Sequence, residues 1–359
     1  MRHYDLSLLQ ALQHNVRTEQ VHGVRVHVKP IPDCDAPGML DPRLVPIVQN
    51  KMAHFVQPSA DLDQYQINKV RHRPDKVSED LCQTQVTVRE RLVPIGRHYI
   101  NVCFYAPEDL APNAPAIIFL HGGGFTAGDG ALYRNQCKLL CEKLGGPVIF
   151  PEYRLAPENP FPCGLEDCFG TLCWVHEHAA ELCIDPQRIT LAGDSAGANL
   201  CTGCVLKDTQ HRFHGLILLY GCMDVNVRED ASYHWGYHLY EMSQAHAPLI
   251  QFRLDRFDNS RALLFSLYLH DTVSAEDPLV SPNCHKHFEV FPPTLVIEGE
   301  YDYYRATNDR FAQKCHAAGV PVRVLRYQGC DHGFLDSLGL LPQAEDCILE
   351  MARAAQKPV

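Results

Sequence analysis

From about residue 84 the apolar positions settle into a repeating rhythm of short runs and helical stripes. Residues 84–89 and 99–105 alternate apolar and polar positions, the signature of an antiparallel pair at a sheet edge. Residues 116–120 are apolar throughout, as a strand covered on both faces requires. Then come a helical stripe over about 133–144, a strand at 147–150 and a second helix over about 165–180. A strand at 189–192 runs directly into another helix, and 215–220 reads as a further strand. After 290 the rhythm returns with a strand at 293–298, a helix over about 305–318, a strand at 320–327 and a last helix over about 342–355. Strands separated by helices predict βαβ units and a mostly parallel sheet with helices on both faces.

Two stretches break the rhythm. Residues 1–83 offer only Val24, Val26 and Val28 at strand spacing, then a helical pattern after Asp41-Pro42, with Asp41 as its expected N-cap. Pro46 in that pattern is tolerable only in the first turn. Residues 222–290 form a long insertion rich in aromatic and aliphatic groups, among them Tyr233, Trp235, Tyr237, Tyr240, Phe252, Phe257, Leu264 and Tyr268. A solvated loop cannot leave so many large apolar groups exposed, so part of it must fold over the core as a lid. The expected organisation is therefore a core of 84–221 with 291–359, a cap insertion at 222–290, and an N-terminal segment 1–83 that contributes to the cap. No internal repeat or low-complexity linker is evident.

Composition narrows the classes. At 359 residues, 46% of them hydrophobic, the chain can bury one large α/β core plus an accessory cap. A net charge of −11 and a pI near 6.0 argue against nucleic acid or an anionic membrane surface as partner. The first ten residues carry too short an apolar run for a signal peptide, and no later run is long enough to span a bilayer. A cytoplasmic protein is expected. Sixteen cysteines then read as reduced thiols, and Cys201-Thr-Gly-Cys204 is a lone C-x-x-C without the second pair that a zinc ribbon needs. We expect no metal and no cofactor.

The chemistry gathers at four places. Gly193-Asp194-Ser195-Ala196-Gly197 is G-x-S-x-G at a strand-to-helix turn, the nucleophile elbow of α/β-hydrolases. Side chains at 193 and 197 would collide with the neighbouring strand and helix, and Ser195 must sit on strained backbone with its hydroxyl projecting. The N-terminal N–H groups of the following helix point toward the serine, where negative charge develops during acyl transfer. His121-Gly122-Gly123-Gly124-Phe125 follows the buried strand at 116–120. It lacks the lysine or the G-x-G-x-x-G spacing of a phosphate loop, but the N–H groups of Gly123 and Gly124, with that of Ala196, can form an oxyanion hole. Asp302 lies just beyond the strand at 293–298 and His332 just beyond that at 320–327, the order and placement a serine's acid and base require. Asp309 and Asp331 are the rival acids. Asp194 is expected to brace backbone, and Arg154 and Glu158 to hold the glycine loop from beneath.

These motifs, with Tyr153-Arg154-Leu155-Ala156-Pro157-Glu158, Asp277-Pro-Leu-Val-Ser-Pro282 and His332-Gly333-Phe334, resemble the hormone-sensitive lipase family of esterases over roughly 85–355. The resemblance implies an α/β-hydrolase fold with a helical cap, Ser195, Asp302 and His332 as the triad, and Gly123, Gly124 and Ala196 as the oxyanion hole. It implies hydrolysis of small carboxylic esters with short or medium acyl chains and no cofactor. Two departures stand out. Tyr303-Tyr304-Arg305 follows the acid where the family carries Pro-Leu and an acidic pair, and the first 40 residues have no counterpart. The alternatives are an inactive hydrolase-fold binding protein, disfavoured because every triad member is present, or an amidase or lactonase using the same triad. A homodimer is possible on this reading.

Overall fold

The computed structural model describes residues 1–55, 66–72, 78–225, 235–270 and 273–357. Two strands open the chain after a short helix: α1 (Leu6–His14), β1 (Arg17–Val21) and β2 (Val24–Lys29). Two helices follow, α2 (Val45–Ala53) and α3 (Ile67–Arg71). The regular part comprises β3 (Val86–Ile95), β4 (His98–Pro107), β5 (Ala114–Leu120), α4 (Gly130–Leu144), β6 (Val148–Pro151) and α5 (Cys163–Glu177). It continues through β7 (Ile184–Asp194), α6 (Ala196–Lys207) and β8 (Gly215–Leu219). The insertion contributes α7 (Ala247–Leu269) before β9 (Thr294–Tyr301), α8 (Arg305–Ala317), β10 (Val322–Asp331) and α9 (Pro342–Gln356).

The described strands form one ten-stranded sheet in the order β1-β2-β10-β9-β8-β7-β5-β6-β4-β3. From β2 to β6 every neighbour is parallel, and the β3–β4 hairpin lies antiparallel at one edge as its alternation predicts. All seven residues of β5 are buried. Its alternate side chains feed two cores. Ala116, Ile118 and Leu120 pack with residues of α5 and α6, while Ile117 and Phe119 pack with α4 and α9. That two-sided cover is why the strand is apolar at every position.

Within the segment 1–83, residues 17–29 extend the sheet rather than the cap. β1 hairpins onto β2, and β2 pairs in parallel with β10, Val26 opposite Val324. Val24, Val26 and Val28 are buried there with Val296 and Ala312. Lys29, also buried, donates to Asp346 and to Glu350 Oε1 (2.8 Å) on α9, so its charge is matched where it is desolvated. Asp41 does not cap α2, which begins at Val45 with Pro46 in its first turn. Its carboxylate instead accepts from Arg43 N (2.9 Å), the Arg43 guanidinium and Gln343. α2 packs against α7, and Phe55 meets Phe252 edge-on with centroids 5.3 Å apart. Tyr233 lies outside the described residues.

Candidate active site

β7 delivers the chain to the elbow and α6 carries it away. Between them Ser195 sits at φ 53°, ψ −116°, a conformation costing about 1–3 kcal/mol for a residue with a Cβ. Its own backbone is pinned on both sides: its N–H donates to the Leu219 carbonyl (2.9 Å) and its carbonyl accepts from Cys222 N (3.2 Å). The turn is tight enough that a Cβ on Gly197 would lie 1.9 Å from the carbonyl oxygen of Leu120. Only glycine fits there.

Residues from three loops meet at this hydroxyl. His332 Nε2 is 2.9 Å from Ser195 Oγ, and His332 Nδ1 is 2.9 Å from Asp302 Oδ2. A carboxylate can only accept, so Nδ1 carries the proton and Nε2 is left to accept from the serine. Asp302 is fully buried; its other oxygen accepts from Tyr304 N (2.7 Å), and Tyr240 Oη donates to its carbonyl (2.8 Å). The rivals are engaged elsewhere. Asp331 pairs with Arg253, and Asp309 with Arg326 at 2.8 Å. Tyr303 and Tyr304, the departure after the acid, pack as aromatics. Tyr304 lies 5.6 Å from the His332 ring, and Tyr303 lies 4.9 Å from Trp235 of the insertion.

The glycine loop lies alongside. Gly123 holds φ 127°, where a Cβ would meet the Ala127 carbonyl oxygen at 2.0 Å. Its own carbonyl accepts from Thr126 N (3.3 Å) and Ala127 N (3.1 Å). Among the described residues the N–H groups of Gly123 and Gly124 have no backbone acceptor. Asp194 Oδ1 accepts from Gly122 N (2.7 Å) and Oδ2 from Tyr133 Oη (3.1 Å), the expected brace. The support from beneath differs from expectation. Ala156 N donates to the Phe125 carbonyl (3.0 Å) and Tyr153 Oη to that of His121 (2.7 Å), whereas Arg154 turns to Asp167. Glu158 bears on the loop through Arg71, which bonds it and donates to the carbonyls of Thr126 and Ala156. Arg71 belongs to the N-terminal segment, and no local pattern singles it out. Below the loop Glu152 accepts from Gly130 N (2.7 Å), and burial pushes its carboxyl up to about 6.

α7 covers the cleft with one face. Arg253, Phe257, Leu264 and Tyr268 recur at intervals of four, seven and four, which keeps them on one side of a helix. Phe257 sets its ring 4.4 Å from that of His332, Leu264 reaches 3.3 Å from where a Cβ on Gly124 would stand, and Tyr268 stacks on Phe125 at 3.7 Å. Such an arrangement offers a hydroxyl beside an acceptor imidazole, a glycine loop alongside, and an apolar cover. No helix among the described residues is long and apolar enough to cross a membrane.

A family model described as an alpha/beta hydrolase fold matches residues 117–336. The chain is 31% identical over 264 residues to the carboxylic ester hydrolase LipN of Mycobacterium tuberculosis, a match covering 71% of this chain and 66% of that protein. It is 43% identical over 101 residues to human hormone-sensitive lipase, covering 28% of this chain and 9% of that one. A hyperthermophilic esterase from Pyrobaculum calidifontis shares the fold with a TM-score of 0.74 at 24% identity, over 89% of this chain and 98% of its own.

Proposed function

The chain belongs to the α/β-hydrolase family, in the group of esterases similar to hormone-sensitive lipase, and from that premise we propose that it is a serine carboxylesterase working through an acyl-enzyme on Ser195. His332 Nε2 takes the hydroxyl proton as Oγ attacks the ester carbonyl carbon. Asp302 holds the imidazole in the tautomer that can accept it and favours the imidazolium that forms. The N–H groups of Gly123, Gly124 and Ala196 stabilise the oxyanion. The C–O bond to the alcohol breaks, the leaving oxygen takes the proton from His332, and a water deprotonated by His332 then releases the acid. The observation that supports this reading best is the pair of 2.9 Å contacts joining Ser195, His332 and Asp302.

The substrates are small esters with short acyl chains. Phe257, Leu264 and the Phe125–Tyr268 stack leave a low roof over the serine. Each methylene buried beneath it contributes about 0.8 kcal/mol, near fourfold in specificity, until the space is full. Longer chains must displace packed aromatics at a cost of about 1–3 kcal/mol. A p-nitrophenyl ester series is expected to peak at roughly two to six carbons and fall sharply by ten. A flat profile, or no turnover of p-nitrophenyl acetate at all, would overturn the reading.

A further inference from the structure

The loop that carries His332 is fastened to the cap. β10 ends at Asp331, opposite Tyr301, after an irregularity in register beyond Tyr327, and Gly333 then turns at φ 79°. His332 thus stands between a strand end and a left-handed glycine. Arg253, in the second turn of α7 and only 8% exposed, reaches down to this point. Its Nε donates to Asp331 Oδ2, and its Nη2 donates to the carbonyl oxygen of His332 at 3.4 Å. One turn further on, Phe257 abuts the imidazole itself. The start of the same helix is tied to the same loop by the N-terminal segment. Leu40 N donates to His246 Nδ1 (3.0 Å) at the start of α7, and Ser243 N to the Gly38 carbonyl (2.9 Å). Asp41 N donates to the carbonyl of Gly329 (2.9 Å), two residues before Asp331.

We propose that Arg253 is a positioning residue for the base: its forked contact with Asp331 and the His332 carbonyl sets the imidazole at Ser195 when α7 is seated. A guanidinium can serve two acceptors from one rigid plane, which an ammonium cannot. Misplacing a reacting group by about 1 Å can cost on the order of 100-fold in rate. The inference rests on the esterase reading above.

The test compares Arg253→Met, Arg253→Met/Asp331→Asn and Arg253→Lys with the parent. The double variant leaves no lone buried carboxylate and guards against simple unfolding. Readouts are kcat and KM for p-nitrophenyl butyrate, the rate of inactivation by a phosphonate ester, and the melting temperature. In folded protein, kcat and the inactivation rate are expected to fall together by about 10- to 100-fold with KM within about threefold. Arg253→Lys recovers part of the loss. Parent-like kcat in either methionine variant, or unchanged kcat with a raised KM, overturns the proposal. If both methionine variants fail to fold, Arg253→Lys decides: a severalfold fall in kcat supports the clasp and a parent-like kcat overturns it. Ser195→Ala, run alongside, keeps the two readings apart. Activity surviving in it defeats the esterase assignment, whereas an inert Ser195→Ala beside a parent-like Arg253 variant defeats the clasp alone.

Discussion

Beneath Ser195 the neighbours are backbone. A Cβ on Gly197 would strike the Leu120 carbonyl, one on Gly193 would come within 2.6 Å of Gly197 backbone, and neither obstacle can rotate away. Above Ser195 the neighbours are the ends of side chains: Phe257 against His332, Leu264 over Gly124, Tyr268 on Phe125. The same cleft is thus floored by parts that cannot yield and roofed by parts that can change rotamer or be exchanged. A floor of that kind holds the reacting atoms in place, and the part of the roof away from His332, formed by Leu264 and Tyr268, lets substrate choice vary without touching them.

The largest effect is expected at the floor. Ser195→Ala should lower kcat by about 10⁴-fold or more, and Asp302→Asn by about 10³- to 10⁴-fold, because the amide favours the wrong imidazole tautomer. Both should melt near the parent temperature in a thermal scan; residual turnover within about tenfold of parent would contradict the assignment. Next, Gly197→Ala should destabilise the fold by more than about 4 kcal/mol or prevent it, read by denaturant titration. A variant of parent stability would show that the floor yields after all. At the roof, Leu264→Ala should preserve turnover of acetyl esters and move the optimum toward longer chains, by about fourfold for each methylene newly accommodated. An unchanged profile would mean that the roof does not measure the acyl chain.

The smallest effect concerns Glu152 under the glycine loop. Burial raises its carboxyl from the usual 4.5 to about 6, so the folded state prefers it protonated. The stability it contributes is complete below about 4.5 and is lost as pH rises through about 6. Glu152→Gln, which cannot ionise, should therefore match the parent's melting temperature near pH 4 and exceed it above pH 6. A gap that stays constant across that window would contradict the shift.

The floor was also the part legible in the sequence. A strained serine between obligatory glycines, a glycine triplet after a buried strand, and an acid and a base each just beyond a later strand are local patterns, and the structure brings Ser195, Asp302 and His332 together. The roof was legible only as a surplus of aromatics. α7 meets the site on one face and α2 on another, so its apolar residues form no single stripe for periodicity to reveal. β1, Arg-Thr-Glu-Gln-Val, is exposed at four of five positions and carries no alternation at all. Arg71 and Arg253 act on loops 55 and 78 residues away in sequence, and only folding makes them neighbours.

The parallel pairing of β2 with β10 has a consequence in time. Val26 must find Val324, about 300 residues later, and Lys29 must find Asp346 and Glu350 beyond that. At roughly 5–20 residues per second, a ribosome takes on the order of 15–60 s to supply those partners. Until then a Val-rich strand and a lysine destined for the interior wait in solvent, while the strands between them can already assemble. Strands made long before their partner are among the last to be placed, so a nascent chain stalled before residue 322 should leave residues 17–29 open to protease, and synthesis of β10 and α9 should close them.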